Sequence, residues 1–159
     1  MDTEILSQLL ARCESDLLDF KLLPYDLGAQ SDDPKTKERK RANFAKDMLA
    51  FANIWRDQPR HIVIGAKRHL DGTMQAPGIL RHVDGADLVQ ALDGLVHPCP
   101  RFHYAQVEFN GLHYGVIEIS GRVRRLALLP PPPLRTVRAT FTAHGSSTDK
   151  PRFTGAGRD

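Results

Sequence analysis

Glu14, Asp19 and Lys21 fall within one short stretch, ESDLLDFK. Two carboxylates and an ammonium are the groups that metal-assisted phosphodiester cleavage uses. Oxygen ligands hold Mg²⁺ or Mn²⁺ and place a water, and a cation sits by the scissile phosphate. Asp19 and Lys21 are two residues apart, so on a strand they share a face. Positions 14 and 19 have an odd spacing, so they converge only if the chain bends or Glu14 precedes the strand. The other reading of Asp19 and Lys21 is a surface ion pair worth about 0–1 kcal/mol.

A second chemistry is polyanion binding. The net charge is only +3, but the cations are grouped. Lys35, Lys37, Arg39, Lys40 and Arg41 form one basic segment, followed by Lys46. Beyond Ser120 come Arg122, Arg124, Arg125, Arg135 and Arg138. Two such segments point to a polyanionic partner; otherwise they are a solvated helix face and a loose tail. Gly145, Ser146, Ser147 and Thr148 add backbone N–H groups and hydroxyls suited to phosphate.

These residues need elements to hold them. Residues 2–12 read as a short helix with Ile5, Leu9 and Leu10 on one face and Leu6 at its border. Within residues 14–23, Leu18, Phe20 and Leu22 alternate with Leu17, Asp19, Lys21 and Leu23 as on a strand, and Glu14 lies just before it. Asp32 or Asp33 caps a long helix, with Pro34 in its first turn. Phe44, Met48, Phe51, Ala52 and Trp55 then make one apolar stripe. Asn53 reads as a C-terminal cap in left-handed conformation. The β-branched run of His61–Ala66 reads as a strand covered on both faces, and Gly65 after it as a point needing room or a positive φ.

Residues 68–78 read as a loop with an Asp-Gly turn. Asp84 or Asp87 starts a helix carrying Leu88, Ala91, Leu92 and Leu95 on one face. Two strands joined by Asn110-Gly111 form a hairpin. Pro130–Pro133 is extended, a stiff connector or a ligand for a proline-recognition module. Thr136–Thr142 reads as a last strand, with a frayed tail after Thr148.

The whole is one α/β (α+β) domain with a mixed sheet, residues 1–148, and a flexible tail, 149–159. No apolar run is long enough for a membrane span, and MDTEILSQLL lacks the basic start of a signal peptide. Cys13 and Cys99, far apart, read as reduced thiols of a cytoplasmic protein. Cys/His spacing for zinc and a Walker A loop are both missing.

ESDLLDFK (14–21), KDMLAFANIWRDQPRHIVIGA (46–66) and the ending HGSST (144–148) together resemble the AlbA-type domain of the Schlafen family. That module is also known in prokaryotes as a divergent AAA or DNA-binding domain. The resemblance spans about residues 13–148 and implies a nucleic-acid-facing groove, binding DNA or RNA. In nuclease-active relatives the first motif helps cut RNA, notably tRNA. The matching residues are Glu14, Asp19 and Lys21, with Glu14 and Asp19 as metal ligands. Arg68 stands where the family has a third carboxylate, and Asp71 is the nearest substitute. Ala143-His144 replaces the arginines that often precede Gly-Ser-Ser-Thr. The expectation is a nucleic-acid-binding module with weak or absent cleavage. Its contacts would come from Lys35, Lys37, Arg39, Lys40, Arg41, Arg68, Arg138, His144, Ser146 and Ser147. The alternative is a Mg²⁺- or Mn²⁺-dependent endoribonuclease. Cleaving relatives carry two such lobes, so one lobe alone implies a homodimer.

Overall fold

The structure, a computed structural model, describes residues 2–28, 32–54 and 57–120, and the backbone of 127–128. Trp55, the prolines 130–133, the strand expected at 136–142, Arg122, Arg124, Arg125, Arg138, His144, Ser146, Ser147 and the tail lie outside the described residues. In chain order the elements are α1 (Thr3–Ala11), β1 (Leu18–Lys21), α2 (Pro34–Ala52), β2 (Arg60–Ile64), β3 (Lys67–Arg68), β4 (Met74–Gln75), α3 (Gly85–Leu92), β5 (Val96–His97), β6 (Phe102–Phe109), β7 (Leu112–Ile119) and β8 (Ala127–Leu128).

The architecture is α+β with a mixed sheet of order β1-β2-β7-β6. β1 and β2 are parallel, and β7 runs antiparallel to both β2 and β6. All five residues of β2 are buried. Ile62 and Ile64 face α2 and α3, with Ile117 and Ile119 beside them and Phe44, Met48, Leu88 and Leu92 above. Val63 faces the other way, among Leu6, Leu9, Leu18, Phe20, Val107 and Val116, under α1. Burial on both faces is why β2 is a continuous apolar run rather than an alternating one.

Asp33 caps α2, its side chain accepting from the Thr36 N–H at 3.1 Å, with Pro34 in the first turn. Asp84 caps α3 by accepting from the Ala86 N–H at 2.8 Å. The Asn110-Gly111 hairpin joins β6 and β7, with φ of 52° and 73° at its two turn residues, as the mirror-image turn requires. Gly65 has φ 103°, and a side chain there would press on Gly78 backbone and the Tyr114 ring, both 3.1 Å away.

Several expectations are corrected. The first strand is Leu18–Lys21; Ser15 bridges back to Leu18, so residues 14–17 form a turn. On α1 the buried residues are Leu6 and Leu9, and Ile5 is exposed. α2 stops at Ala52, and Asn53 is right-handed (φ −84°), its N–H reaching the Leu49 carbonyl. The stretch 68–78 is a loop only in part, because β3 and β4 pair within it. β8 pairs with β5, a contact the sequence did not signal. Arg60, expected as part of a connection, is fully buried. Its guanidinium donates to the Ile54 carbonyl at 2.9 Å and to that of Ile119 at 3.4 Å.

The corrected face of α1 is testable by urea unfolding. Leu6→Ala should cost about 2–5 kcal/mol, a large-to-small core change, whereas Ile5→Ala should stay within about 0.5 kcal/mol.

Candidate nucleic-acid interface

Parallel strands need a crossover. Here α2 leaves the carboxyl end of β1 and returns the chain to the start of β2. Lys21, the last residue of β1, donates to Asp47 at 3.0 Å. That contact sets Asp47 of α2 level with the end of β1. The residues before it rise past the sheet, since a helix advances about 1.5 Å per residue. The basic segment therefore overhangs the carboxyl end of the parallel pair, where open α/β sheets place their ligands.

Helical geometry then sorts the cations. At about 100° per residue, Lys35, Arg39 and Lys46 share a face with Ala42, opposite the buried Phe44 and Met48. All three cations are exposed. Lys37, Lys40 and Arg41 turn toward the body of the protein. Lys40 pairs with Asp26 at 2.8 Å and Asp32 at 2.7 Å, tying down the segment before the helix. Arg41 donates to the carbonyls of Gln90 (2.8 Å), Ala91 (3.2 Å) and Asp93 (3.1 Å), closing the C-terminal end of α3. A cation there also meets the negative end of the helix dipole. The Lys37 stem lies against Gly28, where an added Cβ would come within 2.9 Å of it.

Arg68 has a comparable structural task. It donates to the carbonyls of Leu10 (2.9 Å) and Arg12 (2.6 Å) at the end of α1, and to Gly72 (2.8 Å) in the β3–β4 turn. Its guanidinium carbon lies 6.0 Å from the Phe20 ring centroid, on the α1 face. It is a strut between α1 and the hairpin.

Asp19 and Lys21 share the α2 face of β1, as their spacing implies, and pair at 2.9 Å. Asp47, which sequence reasoning missed, is the second partner of Lys21 and accepts from the Tyr25 hydroxyl at 3.1 Å. Burial lowers the Lys21 pKa, but its hydrogen bonds to the Asp19 and Asp47 carboxylates outweigh it, and the net value lies above 10.5. Burial, then the charge of Asp47, raises the Tyr25 pKa, so this phenol stays protonated. Glu14 is exposed in the turn before β1. Asp71 is exposed in the β3–β4 turn, its Oδ1 accepting from the Thr73 N–H and hydroxyl at 2.9 and 2.7 Å. Those bonds hold its pKa below the usual range. Among the described residues no three histidine, cysteine or carboxylate side chains cluster to hold a metal ion. The described carboxylates as arranged do not fit a Mg²⁺ or Mn²⁺ site.

No family model and no curated protein matches the chain. Among solved structures, the chain is similar to the N-terminal domain of an ATP-dependent DNA helicase RecG-related protein from Nitrosomonas europaea. The TM-score is 0.46 at 15% identity, covering 99% of this chain and 90% of that one. It is also similar to part of the DIP2311 protein from Corynebacterium diphtheriae, with TM-score 0.45 at 15% identity, covering 76% of this chain and 22% of that one. Likeness at this level assigns no function. No described helix is long and apolar enough to cross a membrane.

Two outcomes follow. Arg68→Gln should lower stability by about 1–3 kcal/mol, the range for lost charged hydrogen bonds, and speed amide exchange in α1 and the β3–β4 hairpin. A group whose pKa is raised on folding stabilises fully below its unfolded value and loses that contribution as pH rises through the folded value. The Lys21 contribution is therefore complete below about pH 10.5 and is lost as pH rises through the higher folded value. In Asp47→Asn the Lys21 pKa, followed by NMR, should fall and the alkaline loss of stability should flatten.

Proposed function

We propose that the protein binds nucleic acid, DNA or RNA, along the outward face of α2 from Lys35 to Lys46. One observation carries this reading: Lys35, Arg39 and Lys46 form an outward stripe, and no described carboxylate pairs with any of them. Glu38 is the only acid between residues 34 and 46. A helix fixes the backbone of these cations in advance, so only their side chains are ordered when they release counterions from a phosphate backbone. Such contacts position a nucleic acid and do not read its sequence. The Schlafen-like motifs support the same reading. The self-pairing that this resemblance implies would double the stripe about a two-fold axis. Cleavage through Glu14, Asp19, Lys21 and Asp71 draws on the motif alone.

The stripe separates two classes of lysine and arginine that composition treats alike. Lys35→Gln with Arg39→Gln should weaken binding to every sequence, and the salt slope should fall by about 1.4–1.8 for two lost phosphate contacts. Lys40→Gln and Arg41→Gln should instead lower the melting temperature and leave that slope unchanged. Affinity independent of salt would contradict the proposal.

A further inference from the structure

The carboxyl end of the parallel pair carries apolar groups as well as cations. Among the described residues, Leu23, Leu70, Leu80 and Leu112 are four of the six exposed large apolar side chains. Leu23, Leu70 and Leu80 lie on connections that leave this end, and Leu112 is the first residue of β7. Leu23 follows β1, and Leu70 is on the hairpin that follows β2. Leu80 is on the segment whose Gly78 N–H donates to the Gly65 carbonyl at 3.0 Å. Leu112 opens β7, next to Gly78. Leu70 and Leu80 are fully exposed.

The supports beneath the two leucines are fixed. Around Leu70, Arg68 holds the Gly72 carbonyl, Asp71 holds Thr73, and the His69 and Gln75 side chains meet at 3.2 Å. Beside Leu80, the Ile79 N–H donates to the His113 carbonyl at 2.8 Å. Close to them in the chain are the exposed Lys67, His69 and Arg81, and the exposed His113 is tied to Ile79 through its backbone. Asp71, the acid at the hairpin tip, is turned onto Thr73.

A duplex presents phosphates outward and stacks its base faces inside, so leucines raised among cations gain little from it. A strand with unpaired bases offers phosphate and apolar base face side by side. We infer that this end of the protein is an interaction surface for single-stranded or unpaired nucleic acid. Leu70 and Leu80 contact base faces, and Lys67 and Arg81 contact the adjoining phosphates. This inference rests on the nucleic-acid reading above and adds to it the strandedness of the partner.

The test compares a fluorescein-labelled single-stranded oligonucleotide with its duplex, using wild type and the Leu70→Ser/Leu80→Ser variant at one salt concentration. Both leucines are exposed, so the variant keeps its fold, checked by thermal melting. The wild type should prefer the single strand by about tenfold, within the range that base contacts contribute. The variant should lose that preference while its salt slope stays the same. Equal wild-type affinity for strand and duplex, or a preference retained in the variant, overturns this inference and leaves the nucleic-acid reading standing. Wild type that binds neither oligonucleotide overturns both. Binding to phosphatidylserine vesicles but not to oligonucleotides would make this end a membrane surface and overturns both as well.

Discussion

The burial of β2 on both faces is the constraint from which the rest follows. A strand with no solvent face must receive a layer on each side. α2 and α3 cover Ile62 and Ile64, and α1 covers Val63. β1 adds to one edge of β2 in parallel, which forces a crossover, and α2 is that crossover. β1 has four residues and α2 nineteen. The helix must therefore overrun the short parallel pair, and its surplus length carries the basic segment.

Charge in this chain does two kinds of work, and the backbone decides which. Arg41, Arg60 and Arg68 each donate to backbone carbonyls at or just beyond the end of a helix. A planar guanidinium with several donors suits that task, because one side chain can satisfy two or three carbonyls. Lys35, Arg39 and Lys46 have no such commitment among the described residues. The polyanion surface we propose is therefore narrower than the basic composition implies.

Much of the fold was legible from the residues. The run Ile62–Ile64, the caps Asp33 and Asp84, and the Asn110-Gly111 turn each follow from local chemistry. So did the shared face of Asp19 and Lys21, a matter of strand period. Asp47 was not legible: its partners, Lys21 and Tyr25, lie more than twenty residues earlier. Arg68 was read by alignment to a motif, but its carbonyl partners are set by how α1 packs. The length of the first strand was overestimated because the alternation runs from Leu17 to Leu23, whereas Ser15 folds back onto Leu18 and the strand ends at Lys21. The sorting of the basic segment was available in principle: counting 100° per residue from Phe44 separates Lys35, Arg39 and Lys46 from Lys37, Lys40 and Arg41.

The central claim is a location: nucleic acid meets the carboxyl end of the β1–β2 pair and the overhanging turns of α2. Mapping backbone amide shifts by ¹H–¹⁵N NMR during titration with an oligonucleotide tests it directly. The account predicts shifts concentrated in residues 35–46, 67–70 and 80–82, with α3 and the start of β2 unmoved. Shifts centred on α3, with residues 35–46 silent, would contradict it.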